Sequence, residues 1–307
     1  MGDKKNIMMI IVVAVLLLGG GAFALTRSDD STNESQSTTD STSKAVEDFP
    51  INLELSNLQP LNSGAYEGWV VRDGAKHSFG RFNMDADGGI NGDLALSDVV
   101  PANGDTIAIS IEPENDTDPE PSATIVLAGE ITGGVASLEF PVDVSEFAGK
   151  YIIATPTTST TDDETAGVWF TTTGSDAGFD IPVAPAGWIY EGWTVFDGKP
   201  ITTGQFSDPS KADLFSGFSG SGDFPAKPGE DFIHNLPNGL TGPIDLSDGT
   251  SVVVLSLEPF QDGVDPTGDG PAQVKPLTGM IPEGAADHTP YDLTLSKDSV
   301  PSGSAAL

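Results

Sequence analysis

The chain copies itself, and that duplication limits what it can fold into. Ala65 to Phe82 (AYEGWVVRDGAKHSFGRF) and Ile189 to Phe206 (IYEGWTVFDGKPITTGQF) agree at nine of eighteen positions, at a constant spacing of 124 residues. Farther on, Thr106 to Pro119 (TIAISIEPENDTDP) matches Ser251 to Pro266 (SVVVLSLEPFQDGVDP), with the Glu-Pro pairs Glu112-Pro113 and Glu258-Pro259 spaced by 146. Two motif pairs in the same order mean a duplicated supersecondary unit. The second copy has gained 22 residues between its motifs, within the Gly-rich stretch Ser207 to Thr250. Any architecture must therefore be one that both halves can form.

Each motif reads as β structure. Tyr-Glu-Gly-Trp runs as a strand into Asp73-Gly74 or Asp197-Gly198, a pair suited to a tight hairpin turn. A return strand then ends in Gly80-x-Phe82 or Gly204-x-Phe206. Alternation puts Trp69, Val71 and Glu67 on one face and Tyr66 and Val70 on the other, with Glu191 beside Trp193 in the second copy. Ile107 to Ile111 and Val252 to Leu257 are β-rich runs stopped by Pro113 and Pro259. Tyr151 to Thr155 and Val168 to Thr172 suggest a further strand pair across an acidic loop. With 36 Gly and 23 Pro, apolar bursts are short, and beyond the leader no window has helical periodicity. The expected fold is all-β: two tandem β-sandwich-like domains after an N-terminal transmembrane or signal helix and a disordered stalk. The expected boundaries are 48–150 for the first β domain, 151–185 for a connecting strand pair, 186–297 for the second domain and 298–307 for a disordered tail.

The first 25 residues read as a basic leader (Lys4, Lys5) and an apolar run, a signal peptide or membrane anchor. Ala22-Phe23-Ala24 offers a cleavage site after Ala24, which would give a secreted product. Counted whole, residues 7–25 could span roughly 28 Å, near the thickness of a bilayer core. The favoured reading is a retained plasma-membrane anchor with the N-terminus inside and the rest extracytoplasmic. Residues 26–47 are rich in Ser and Thr with almost nothing apolar to bury, the composition of a disordered stalk.

Composition removes several function classes. A net charge of −33, from 46 acidic against 13 basic residues, opposes nucleic-acid binding, which needs cations against phosphate. The absence of cysteine excludes disulfides, thiolate metal sites and a thiol nucleophile. His77, His234 and His288 show no ligand spacing among themselves, and no nucleophile elbow is present. Asn83 to Asp93 resembles a calcium loop, but its twelfth place is Leu94, so a strand-turn-strand is expected there. The acidic loops after the Glu-Pro pairs are the remaining places for calcium; otherwise no cofactor, catalytic residue or metal ligand is expected. The binding candidates are the repeated acids: Glu67, Glu191, Glu112 and Glu258.

At these motifs the chain resembles the extracytoplasmic C-terminal domain of the anti-sigma-K factor family. That family shows a Tyr-Glu-(Gly/Val)-Trp strand, a turn, a Gly-x-Phe return and a later strand ending in Glu-Pro. The resemblance covers most of Leu53 to Leu295, as two copies. Only Met1 to Asn6 precede the apolar run, so it implies the outer, sensor-like β domain without the cytoplasmic sigma-binding domain. The expected function is a non-enzymatic envelope module that binds a protein or envelope component. The alternatives are a sensor-like outer domain acting through a separate inner protein, and a carboxylate-dependent hydrolase.

Overall fold

The computed structural model describes residues 48–160, 164–173, 175–213, 215–261 and 264–307, and every regular element among them is a strand. No helix among them is long and apolar enough to cross a membrane. The expected anchor (1–25) and stalk (26–47) lie outside the described residues. The first half runs β1 (Phe49–Pro50), β2 (Asn52–Ser56), β3 (Ala65–Arg72), β4 (Ala75–Met84), β5 (Ile90–Asn91), β6 (Ala95–Leu96), β7 (Thr106–Glu112), β8 (Ile125–Thr132) and β9 (Val135–Glu139). A middle stretch gives β10 (Ala148–Ile153), β11 (Gly167–Trp169) and β12 (Phe179–Asp180). The second half supplies β13 (Trp188–Phe196), β14 (Lys199–Phe206), β15 (Gly229–Asp231), β16 (Val252–Pro259), β17 (Leu277–Met280), β18 (Tyr291–Asp292), β19 (Thr294–Leu295) and β20 (Ser302–Ala306).

The repeat produces the same three-strand unit twice, β4-β3-β7 and β14-β13-β16, every pairing antiparallel. Both hairpins turn where expected. Asp73 and Gly74 have φ of 50° and 84°, Asp197 and Gly198 of 51° and 69°, the paired left-handed residues of a type I′ turn. Each hairpin also carries a bulge. Gly68 faces Gly80 but Trp69 faces Ser78, leaving Phe79 as the extra residue; Thr203 is its counterpart opposite Gly192 and Trp193. The bulged side chain crosses the motif glycine: a Cβ on Gly68 would lie 2.0 Å from the Phe79 ring, and one on Gly192 2.2 Å from Thr203 Oγ1. The Gly of Tyr-Glu-Gly-Trp thus makes room for a neighbour.

The first unit sits in an eight-stranded sheet, β2-β20-β9-β8-β7-β3-β4-β5, and the second in a five-stranded one, β14-β13-β16-β17-β19. A third sheet has the order β12-β10-β11-β15, with β18 also pairing β10. The stretch expected as a connection is therefore a sheet in its own right, joined to β15 and β18 of the second half. Its apolar side chains require this: Phe179 stacks on Phe206 with ring centroids 5.6 Å apart, and Phe147 meets Tyr190 edge-on at 6.2 Å. Residues of both repeats and of the middle sheet form one continuous core. A smaller cluster of Trp69, Val71, Ala108, Ile125 and Ala128 lies on the other face of β3. The architecture is all-β and sandwich-like.

One boundary is corrected. The expected disordered tail over 298–307 contains β20, which lies between β2 and β9 with Ala305 fully buried. Its five residues, SGSAA, have little strand propensity; the open edges of β2 and β9 supply the pairing that makes them a strand.

Candidate functional site

The repeated acids and tryptophans converge in each copy. In the first, Trp69 Nε1 donates to Ser110 Oγ at 2.8 Å, and Ser110 Oγ donates in turn to Glu112 Oε1. Alternation along β7 places Ser110 and Glu112 on one face, and the β3–β7 register sets Glu67 opposite Ser110. The backbone N–H of Ser122 adds a second bond to Glu112 Oε1 at 2.8 Å. Glu67 accepts from Ser78 Oγ at 2.6 Å and from Arg81 Nε at 2.7 Å. Burial pushes the Glu112 carboxyl above its usual range, against the Ser110 and Ser122 bonds that hold it down.

The second copy repeats the arrangement. Trp193 Nε1 donates to Ser256 Oγ at 2.8 Å, Ser256 Oγ donates to Glu258 Oε1, and Ala272 N–H donates to the same oxygen at 2.9 Å. Glu191 accepts from Thr202 Oγ1 at 2.5 Å and Gln205 Nε2 at 2.7 Å. Burial pushes Glu191 up, and Glu258 up to about 7. Gln205 replaces Arg81, so this cluster has no guanidinium.

The same exchange changes how the loops after the Glu-Pro pairs are held. In the first copy Lys76 Nζ meets Glu120 at 2.5 Å and Arg81 Nη2 meets Asp116 at 3.2 Å, pinning the acidic loop over the tryptophan face. The second copy has Pro200 and Gln205 at those positions, and its loop is tied by Thr267 Oγ1 donating to Glu258 at 3.3 Å. Between the two loops runs an open groove of about 620 Å³, lined in part by Pro113, Glu114, Asp116, Ala123, Phe260 and Val264. Phe260 and Val264 are 50% and 52% exposed. The walls are fixed to each other: Gln261 Nε2 donates to Ile111 O at 2.6 Å, and Thr124 Oγ1 to Gly187 O at 3.0 Å.

The four acids chosen from the sequence are thus brought together in pairs, Glu67 with Glu112 and Glu191 with Glu258, each engaged by neighbouring donors. The calcium-like stretch is the hairpin β4–β5, where Asp85 Oδ1 accepts from the backbone of Asp87 and Gly89. His77 lies 2.7 Å from Asp98 on the surface. Sequence reasoning missed a buried tryptophan that meets a carboxylate directly: Trp169 Nε1 donates to Asp231 Oδ1 at 2.8 Å, while Thr157 N–H and Oγ1 donate to Oδ2. It also missed Asp213 and Glu230, which burial raises to about 6 and about 7. No local pattern announces them, since Asp213, Glu230 and Asp231 lie in the Gly-rich insertion that the first copy lacks.

Fold and site together define an all-β, sandwich-like protein with one buried Trp–Ser–Glu chain of hydrogen bonds per copy. Comparison of the chain with family models, with curated proteins and with solved structures finds no match.

Proposed function

We propose that this chain is a non-enzymatic binding module, with two tandem sandwich-like halves presenting the groove between their Glu-Pro loops to a protein partner. The observation that carries it is the pair Phe260 and Val264, half exposed in a groove whose walls are bonded across the two copies. Large apolar side chains together in a concave, acid-rimmed site suit a partner segment with apolar anchors and basic flanks. The repeated acids support a binding role over hydrolysis, because internal donors engage Glu67, Glu112, Glu191 and Glu258. The leader and Ser/Thr-rich composition support display outside the cell, anchored by residues 7–25, and the anti-sigma-K resemblance supports a sensor-like outer module of this kind.

A photo-crosslinking residue placed at 260 in the full-length chain tests this in intact cells, with position 183 as control. Val183 is 61% exposed, outside the groove. A defined extracytoplasmic protein captured from 260 and not from 183, and lost in Val264→Asp, is the expected result. The same capture from both positions would overturn the assignment.

A further inference from the structure

We propose a transition-metal site, suited to zinc, at Glu164, Asp287 and His288. The three come from two loops far apart in sequence, yet their donor atoms lie within 4.8 Å of one another. The end of β10 brings them together. His288 N–H donates to Ile153 O at 2.8 Å, and Thr155 N–H donates to Glu164 Oε2 at 3.2 Å. Tyr291 closes the second loop, its hydroxyl accepting from Ala286 N–H at 2.8 Å and donating to Ala286 O at 3.2 Å. His288 Nδ1 and Asp287 Oδ2 are already 3.6 Å apart. The chain has 46 acidic residues, and among the described residues only this group places three His, Asp or Glu donors so close.

The donor types choose the ion. Calcium and magnesium favour all-oxygen shells, whereas an imidazole with carboxylates suits zinc. Zinc with bonds near 2.0–2.1 Å holds tetrahedral donors roughly 3.4 Å apart, so donors within 4.8 Å of one another close by no more than about 1.4 Å, and three protein donors leave a fourth position for water. Asp287 and His288 are exposed and have room for that closure. A bound ion would join the loop after β10 to the loop before β18, away from the Glu-Pro groove, so the site stands independently of the binding function proposed above. Sequence spacing gives no hint of it, because the two loops are far apart in the chain and each is bonded at or just beyond the end of β10.

Zinc titrated into the purified full-length chain in a non-chelating buffer, followed by calorimetry, tests the proposal. One saturable ion per chain is expected, with calcium failing to compete. Glu164→Gln retains the acceptor for Thr155, and Asn at 288 tolerates the left-handed φ of 52° found there. Glu164→Gln and His288→Asn are each expected to weaken zinc by at least about tenfold, with unchanged thermal midpoints in the absence of zinc. In the unsubstituted protein, zinc should move the ring resonances of His288 while leaving those of His77 and His234 in place. No saturable binding, an affinity in both variants unchanged from that of the unsubstituted protein, or equal effects on all three histidines would overturn the site.

Discussion

The two copies are internal controls for each other, one residue at a time. On the inner face of β13 and β14, Thr194 and Thr203 stand where β3 and β4 have Val70 and Phe79. Both hydroxyls are buried with no hydrogen-bond partner among the described residues. A buried, unsatisfied hydroxyl costs on the order of 1–3 kcal/mol, and an isosteric apolar group removes that cost. Thr194→Val, which restores the first copy's residue, is expected to stabilise the protein by about 1 kcal/mol, read as a higher urea midpoint at unchanged slope. An unchanged or lower midpoint would mean that Thr194 is satisfied by water. At this scale much was legible: alternation placed Trp69 beside Glu67, and the repeat singled out Glu112 and Glu258. The bonds joining them were not, because Trp69 and Ser110 meet only across the β3–β7 register, and nothing local marks Phe79 or Thr203 as bulged.

Among elements, β20 departs furthest from its composition. Ser302-Gly303-Ser304-Ala305-Ala306 would not form a strand alone, but it bonds along its length to β2 on one side and β9 on the other. Without it, β2 has no partner among the described strands, and β9 becomes an edge. Deleting residues 302–307 is therefore expected to abolish amide protection in β2 and along the β20-facing side of β9 while leaving β13–β16 protected, measured by hydrogen exchange. Retained protection in β2 would show that the first half holds itself together. The hairpins and Glu-Pro strands were readable because turn residues and β-branched runs specify them locally. By contrast, β15 and β20 are made of Gly, Ser, Ala and acid, and take their conformation from the strands they join.

For the molecule as a whole, the continuous core predicts one cooperative transition, and buried acids give it a pH dependence. Burial raises Glu258 and Glu230 to about 7 and Asp213 to about 6, from ordinary values of 4.5 and 3.8. The folded state therefore binds more protons than the unfolded chain between those limits. The stability these groups contribute is full below their ordinary values and is lost as pH rises to about 7. Asp105, held low by Arg72, acts in the opposite sense only at strongly acid pH. Urea midpoints should be higher at pH 5 than at pH 8, in a single transition at both, with the difference reduced in Glu258→Gln. Equal midpoints would contradict the assignment.

The placement of β20 also sets an order of events during synthesis. Strands β2 to β9 leave the ribosome early, but the residues that fill the gap between β2 and β9 follow only after the entire second half has been made. The early half must wait with those two strands unjoined, while the later half can close its own hairpin and sheet. Vectorial synthesis therefore inverts the apparent order of the chain: the copy translated first is the one completed last.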